Sequence, residues 1–169
     1  MKVQDWMTRD VRTCTPETTL NDAAYEMWSR DCGVLPVVTG DRTVVGVITD
    51  RDACMAACLR GVPLKDLRVA DAMSRTVFTC QLSDSIEDAI RCMADHQVRR
   101  VPVVDVRGKL VGILASSDVA RNVVGLADER SRARLTPRFV EAFASISETR
   151  AEVPEGVSTS AARQPAIVA

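Results

Sequence analysis

Shifted by 66 positions, the separation of Asp52 from Asp118, the chain lies on itself without a gap. VQDWMTRDVRTC at 3–14 meets VADAMSRTVFTC at 69–80, and VVGVITDRD at 44–52 meets LVGILASSD at 110–118. LPVV at 35–38 likewise meets VPVV at 101–104. A duplication of this kind dictates architecture before any other feature is read, because each copy must adopt the same fold and find a surface to bury.

Each copy predicts the order strand, helix, strand, strand, helix, so the fold class is α/β (α+β). A short extended stretch (12–15; 78–81) leads into a helix over 20–29 or 86–96. Thr18 or Thr19 is the expected cap of the first, Ser83 or Asp84 of the second. Leu20, Ala23, Ala24 and Met27, and then Ile86, Ala89, Ile90 and Met93, fall at helical spacing. Two β runs follow, 35–38 with 44–48 and 101–105 with 110–114, joined by turns at Gly40-Asp41 and Arg107-Gly108. A helix over 52–59 or 118–124 closes each unit. Neither small sheet can bury both faces alone, so the two units are expected to pack sheet to sheet about a pseudo-two-fold axis. The expected division is 1–66 for the first unit with its linker and 67–126 for the second.

GVITDRD at 46–52 changes character halfway, from sheet interior to four polar residues. Thr49 or Asp50 can cap the following helix. A carboxylate in that first turn is favoured by the helix dipole, accepts hydroxyl donors well, and leaves free N–H groups suited to a phosphate.

The net charge of −1 argues against bulk attraction to nucleic acid or an anionic membrane. No apolar run is long enough to span a bilayer and the first residues do not resemble a signal peptide, so a cytoplasmic protein is expected. The six cysteines form no CxxC pair. They read as buried free thiols in a reducing compartment. A metal- or redox-responsive role for them is the alternative: Cys54 and Cys58 share a helix face, and the single histidine, His96, is the one further nitrogen ligand.

The repeated pattern, MT…V…T…P…TL.DA…PVV…G.VVGI(T/S)..D, resembles a tandem CBS-domain pair, the Bateman module, over residues 1–126. The resemblance implies a regulatory module, not an enzyme, that binds AMP, ADP, ATP or S-adenosylmethionine as a ligand and requires no cofactor. It implies that Asp52 accepts the ribose hydroxyls and that Thr49 touches ribose or phosphate. Arg99 and Arg100, two and three residues before the strand proline, match the basic pair that meets the phosphates of a nucleotide held by the other unit. Val11 and Val77 would line the adenine slot. The second copy keeps Asp118 but places Ala115 where Thr49 stands, so one cleft is expected to be complete and the other not. Family modules also form disc-like homodimers, which the small residues of the 53–59 helix suit, and regulate a partner protein.

Beyond the pair, 127–134 reads as a charged connector. Thr136 is the expected cap of an amphipathic helix with Pro137 at its first position and Leu135, Phe139, Phe143 and Ile146 on one face. This C-terminal segment, 127–147, is expected to pack on the module or across a dimer. Residues 148–169 have little to bury and predict disorder.

Overall fold

A computed structural model describes residues 1–148, and the predicted tail beyond them lies outside the described residues. Its helices are α1 (Val3–Trp6), α2 (Leu20–Ser29), α3 (Asp50–Arg60), α4 (Ile86–Asp95), α5 (Ser116–Gly125) and α6 (Glu129–Ser147). The strands are β1 (Val34–Val38), β2 (Val44–Thr49), β3 (Cys80–Gln81), β4 (Arg100–Val104) and β5 (Leu110–Ala115). β1 and β2 form an antiparallel hairpin, as do β4 and β5, and β3 runs parallel to β4. In the first unit the counterpart of β3 shrinks to one parallel bridge, Cys14 to Val37.

The pseudo-two-fold axis can be read from the bridges alone. A two-fold operation turns the pair (i, j) into the pair (j−66, i+66). Lys2–Ser85 accordingly has its mate in Thr19–Arg68, and Thr8–Ile113 in Val47–Ser74. Thr43–Lys109, themselves 66 apart, are their own mates and so straddle the axis. There the Leu110 N–H donates to the Arg42 carbonyl at 2.9 Å. The Lys109 ammonium donates to Thr43 Oγ1 at 2.8 Å and pairs with Asp41.

These bridges show how the copies are joined. Val3 and Met7 open the first unit in sequence but pack in the core of the second, with Ile86, Leu114 and Val119. Val69 and Met73 open the second unit but pack in the core of the first, with Leu20, Leu35 and Ile48. Each unit thus completes its partner's core, and apolar burial of that kind ties the two folds into one. The glycine of each VVGV or LVGI strand is explained by the same exchange. A Cβ on Gly46 would sit 2.8 Å from Met73 Sδ and 2.9 Å from the Ser74 carbonyl oxygen; on Gly112 it would sit 2.5 Å from Met7 Sδ. Only a residue without a side chain admits the exchanged segment so closely.

Two helix caps differ from expectation. Ser85, not Ser83 or Asp84, caps α4, accepting from the Asp88 N–H at 3.1 Å; the Asp84 carboxylate is occupied one turn earlier by the Gln81 N–H at 2.7 Å. α6 starts at Glu129 instead of after Thr136, and the charged connector is its first turns. Asp128 accepts from the Arg130 and Ser131 N–H groups, both at 3.2 Å, which makes it the cap. Pro137 therefore lies inside the helix, where it lacks an N–H to donate. Packing offsets that loss. Leu135, Ala142 and Ile146 are buried against α4 and α5, and Arg134 pairs with Glu87 at 2.9 Å. Phe139 joins this packing, whereas Phe143, expected on the same face, is 45% exposed.

Candidate functional site

Where β2 runs into α3, Thr49 is the cap. Its Oγ1 accepts from the Asp52 N–H at 3.1 Å and donates to Asp52 Oδ2 at 2.7 Å, while the Thr49 N–H donates to the same oxygen at 3.0 Å. This reciprocal box fixes the carboxylate through one oxygen. Asp52 Oδ1 has no hydrogen bond among the described residues, and the residue is half-buried. An oriented carboxylate oxygen with spare lone pairs is an acceptor for hydroxyl donors.

The second copy spends its aspartate differently. Ala115 offers no hydroxyl, so Asp118 Oδ2 accepts from the Ala115 N–H alone, at 2.8 Å. Asp118 Oδ1 is taken by the guanidinium of Arg121, and the aspartate is buried. Met55 stands at the position equivalent to Arg121 in the first unit. Sequence reasoning passed over Arg121, because an arginine three residues along a helix reads as a solvated side chain.

One expectation about this turn is corrected. The N–H groups opening α3 are not free for a phosphate. The Asp50 N–H donates to the Gly33 carbonyl at 3.4 Å, the Arg51 N–H to Asp50 Oδ1 at 2.7 Å, and the Asp52 N–H to Thr49 Oγ1. The helix end is satisfied by the Gly33 carbonyl and by the Thr49 and Asp50 side chains, and Asp50 adds negative charge beside it.

Arg99 and Arg100 are exposed, and neither guanidinium has an ion pair or hydrogen bond among the described residues. Arg100 lies opposite Ala115 in the β4–β5 register, and the Arg99 carbonyl accepts from the Ser116 N–H at 2.9 Å. Both arginines are therefore held at the start of α5. No hydrogen bond or ion pair joins them to Thr49 or Asp52 among the described residues. Val11 and Val77 are half-buried in the stretches preceding the Cys14 bridge and β3.

Val11 lines a cavity of about 510 Å³ in the first unit, together with Thr13, Cys14, Asp22, Glu26 and Arg42. Thr49, Asp52, Arg99 and Arg100 do not line it. Glu26 there pairs with Arg12 at 3.4 Å and Arg30 at 3.7 Å. Arg42 was missed from sequence. It holds φ at +65°, where its second-unit equivalent, Gly108, holds +74°. An arginine kept in a conformation suited to glycine, at the mouth of a cavity, marks a position of interest. Its signal was the mismatch of Arg42 with Gly108 between the copies.

Two of the cysteines correct the expectation of buried thiols. Cys14 and Cys80 are buried, but Cys54 and Cys58 are exposed on α3. His96 ends α4, exposed, with its ring stacked on Phe78 at 3.5 Å. No cluster of three or more His, Cys, Asp or Glu side chains suited to a metal stands among the described residues.

Residues 3–57 and 69–125 both match the CBS domain family. The CBS domain-containing protein YhcV of Bacillus subtilis is 38% identical over 120 residues, spanning 71% of this chain and 84% of that one. Hypoxic Response Protein I, solved with two coordinated zinc ions, is similar with a TM-score of 0.66 and 30% identity, over 72% of this chain and 98% of that one. CBSX2 in complex with AMP is similar with a TM-score of 0.63 and 30% identity, over 73% of this chain and 96% of that one. The duplicated sequence, the bridges that exchange about one axis and both family matches agree: the chain belongs to the CBS-domain family and is built as a CBS pair.

Proposed function

We propose that this CBS pair is a sensor for an adenosine-containing ligand, AMP, ADP, ATP or S-adenosylmethionine, which it binds without turning it over. The observation that carries this is the open oxygen of Asp52. In the first unit the Thr49 box orients the carboxylate and leaves Oδ1 spare, whereas Arg121 closes the equivalent oxygen of Asp118. A ribose presents two adjacent hydroxyls to such an acceptor. Phosphates would be met by Arg99 and Arg100, whose guanidinium groups lack partners in the described residues, because the α3 N–H groups are spent. Val11 and Val77 offer apolar walls for the base. The CBSX2 structure with AMP supports the ligand class.

The module acts on another protein through its ligand-dependent state, as a cytoplasmic homodimer. Tyr25 and Trp28 of α2 and Met55 and Leu59 of α3 are exposed, Trp28 to 86%, and supply an apolar face for a second copy. No helix among the described residues is long and apolar enough to cross a membrane.

The experiment is a thermal-shift and calorimetric panel with AMP, ADP, ATP, S-adenosylmethionine and zinc on the wild type and on Asp52→Asn. A ligand of the native state raises the melting temperature by mass action. An adenosine ligand should bind the wild type and lose affinity with Asp52→Asn, with no phosphate released from ATP. Stabilisation by zinc alone would favour the metal-responsive reading instead.

A further inference from the structure

The two units place different chemistry at one pair of facing positions. In the first, Cys14 and Glu26 line the same cavity. Adding 66 to each gives Cys80 on β3 and Cys92 on α4, so the same facing pair becomes two thiols. Phe78, two residues before Cys80, stacks on His96, one turn after Cys92, so the segments that carry the two thiols are held side by side. Both thiols belong to one apolar cluster, with Cys80 at 4% exposure inside it and Cys92 half-buried at its margin. One thiol of the pair is thus reachable from solvent and the other is held behind it.

We propose that Cys80 and Cys92 form a reversible redox site, a dithiol that a hydroperoxide oxidises to an internal disulfide. Cys92, as thiolate, attacks one oxygen of the hydroperoxide; an S–O bond forms, the O–O bond breaks, and the departing alkoxide takes up a proton to leave as alcohol or water. Cys80 then attacks the Cys92 sulfur. The S–S bond forms, the S–O bond breaks, and the leaving hydroxide takes the Cys80 proton to become water. Two thiols lose two electrons in all, and the hydroperoxide gains them. A small thiol reverses the step by exchange.

The division of roles follows from burial, since Cys92 is the more exposed of the two, and the ionisation of the pair runs the same way. Hydrogen bonding between the two thiols holds Cys92 below the usual thiol range and Cys80 above it; burial raises Cys80 further, with Asp84 and Asp88 adding to the rise. The more exposed sulfur is therefore the readier thiolate, which is the property an attacking cysteine needs. Closure would fasten β3 to α4, beside the stretch that carries Val77. The inference does not rest on the adenosine reading, since its test contains no nucleotide.

Trypsin makes the test direct, because it cuts after Arg75, Arg91 and Arg99 and separates Cys80 (peptide 76–91) from Cys92 (peptide 92–99). The chain carrying Cys54→Ser and Cys58→Ser, which removes the exposed thiols, is exposed to hydrogen peroxide, alkylated and digested. The two peptides should appear joined, and separate after dithiothreitol. With Cys80→Ser added, Cys92 should instead accumulate as a sulfenic acid captured by dimedone. Oxidation of Cys92 to sulfinic acid without a linked peptide, or reaction of Cys14 and Cys32 ahead of the pair, would overturn the assignment. The linkage test on unaltered Cys80 and Cys92 decides the matter even if the Cys80→Ser chain does not fold.

Discussion

The two CBS units share a backbone and divide the chemistry. Position by position, Arg12, Cys14, Glu26 and Arg30 of the first become Phe78, Cys80, Cys92 and His96 of the second. An ion-paired cavity wall in one is an aromatic stack and a thiol pair in the other. Thr49, Asp52 and Met55 become Ala115, Asp118 and Arg121, so an open carboxylate becomes a closed one. The helices differ as well: α6 covers α4 and α5, while α2 and α3 keep Trp28 and Leu59 exposed. Duplication preserves what the fold requires, the exchanged segments and their glycines. Side chains that the fold does not require are free to take separate tasks.

The largest effect should come from removing the cover that only the second unit has. Leu135 of α6 is fully buried, so Leu135→Ala should cost about 2–5 kcal/mol in urea unfolding, the usual range for a large-to-small core change. Phe143→Ala, on the same helix but 45% exposed, should change stability much less. Hydrogen exchange should show the loss concentrated in α4 and α5. Equal loosening of α2 and α3 would mean that the units do not differ in this way.

Next, the exchange itself can be broken on either side. Gly46→Ala and Gly112→Ala each drive a methyl group against an exchanged methionine and a backbone carbonyl. Overpacking of this kind destabilises by about 1–3 kcal/mol. Both variants should fall in that range by calorimetry, since the geometry is symmetric. A neutral result at one glycine would show that its segment can withdraw.

How much of this was legible depended on whether the signal was local. The strands and both helix pairs followed from periodicity and from the duplication, and Thr49 as one of two candidate caps from the change of character at 46–52. The exchange of Val3 and Met7 for Val69 and Met73 was not legible. Those segments read as part of the unit they open, and only tertiary packing sends them to the other. The start of α6 was misread because Pro137 after Thr136 is a strong local signal, which the packing of Leu135 and the Asp128 cap override. The spent N–H groups of α3 were hidden for a similar reason in part, since the first of them, that of Asp50, depends on Gly33, brought in from just before β1.

The aspartates should separate binding from stability. Asp52→Ala removes an acceptor from the ribose hydroxyls, worth roughly 1.5–3 kcal/mol for a hydrogen bond to a charged group. Calorimetry should read this as an affinity loss of about 10- to 100-fold, at 1.4 kcal/mol per factor of ten. Asp118→Ala should leave the tightest binding step unchanged and lower stability instead, by roughly 1–3 kcal/mol, because it strands a half-buried partner, the Ala115 N–H. Binding lost with Asp118→Ala and kept with Asp52→Ala would reverse the assignment of the working unit.

The smallest expected effect lies on the axis, where Arg42 faces the role that Gly108 plays in the second unit. Both hold positive φ, and a Cβ at Gly108 would meet nothing within 4 Å. Gly108→Ala therefore measures conformational strain alone, about 1–2 kcal/mol for an L-residue in the left-handed region. Arg42→Gly should relieve the same strain but also delete the hydrogen bond from Arg42 Nε to the Leu110 carbonyl, 3.1 Å long. A bond of that kind contributes a net 0.5–1.5 kcal/mol as a rough measure, so the two terms nearly cancel. Arg42→Gly should accordingly shift the unfolding midpoint little in either direction, while Gly108→Ala lowers it. If Arg42→Gly stabilises as much as Gly108→Ala destabilises, the Arg42 side chain contributes nothing across the axis. Its strained backbone would then have to be explained by the cavity it lines.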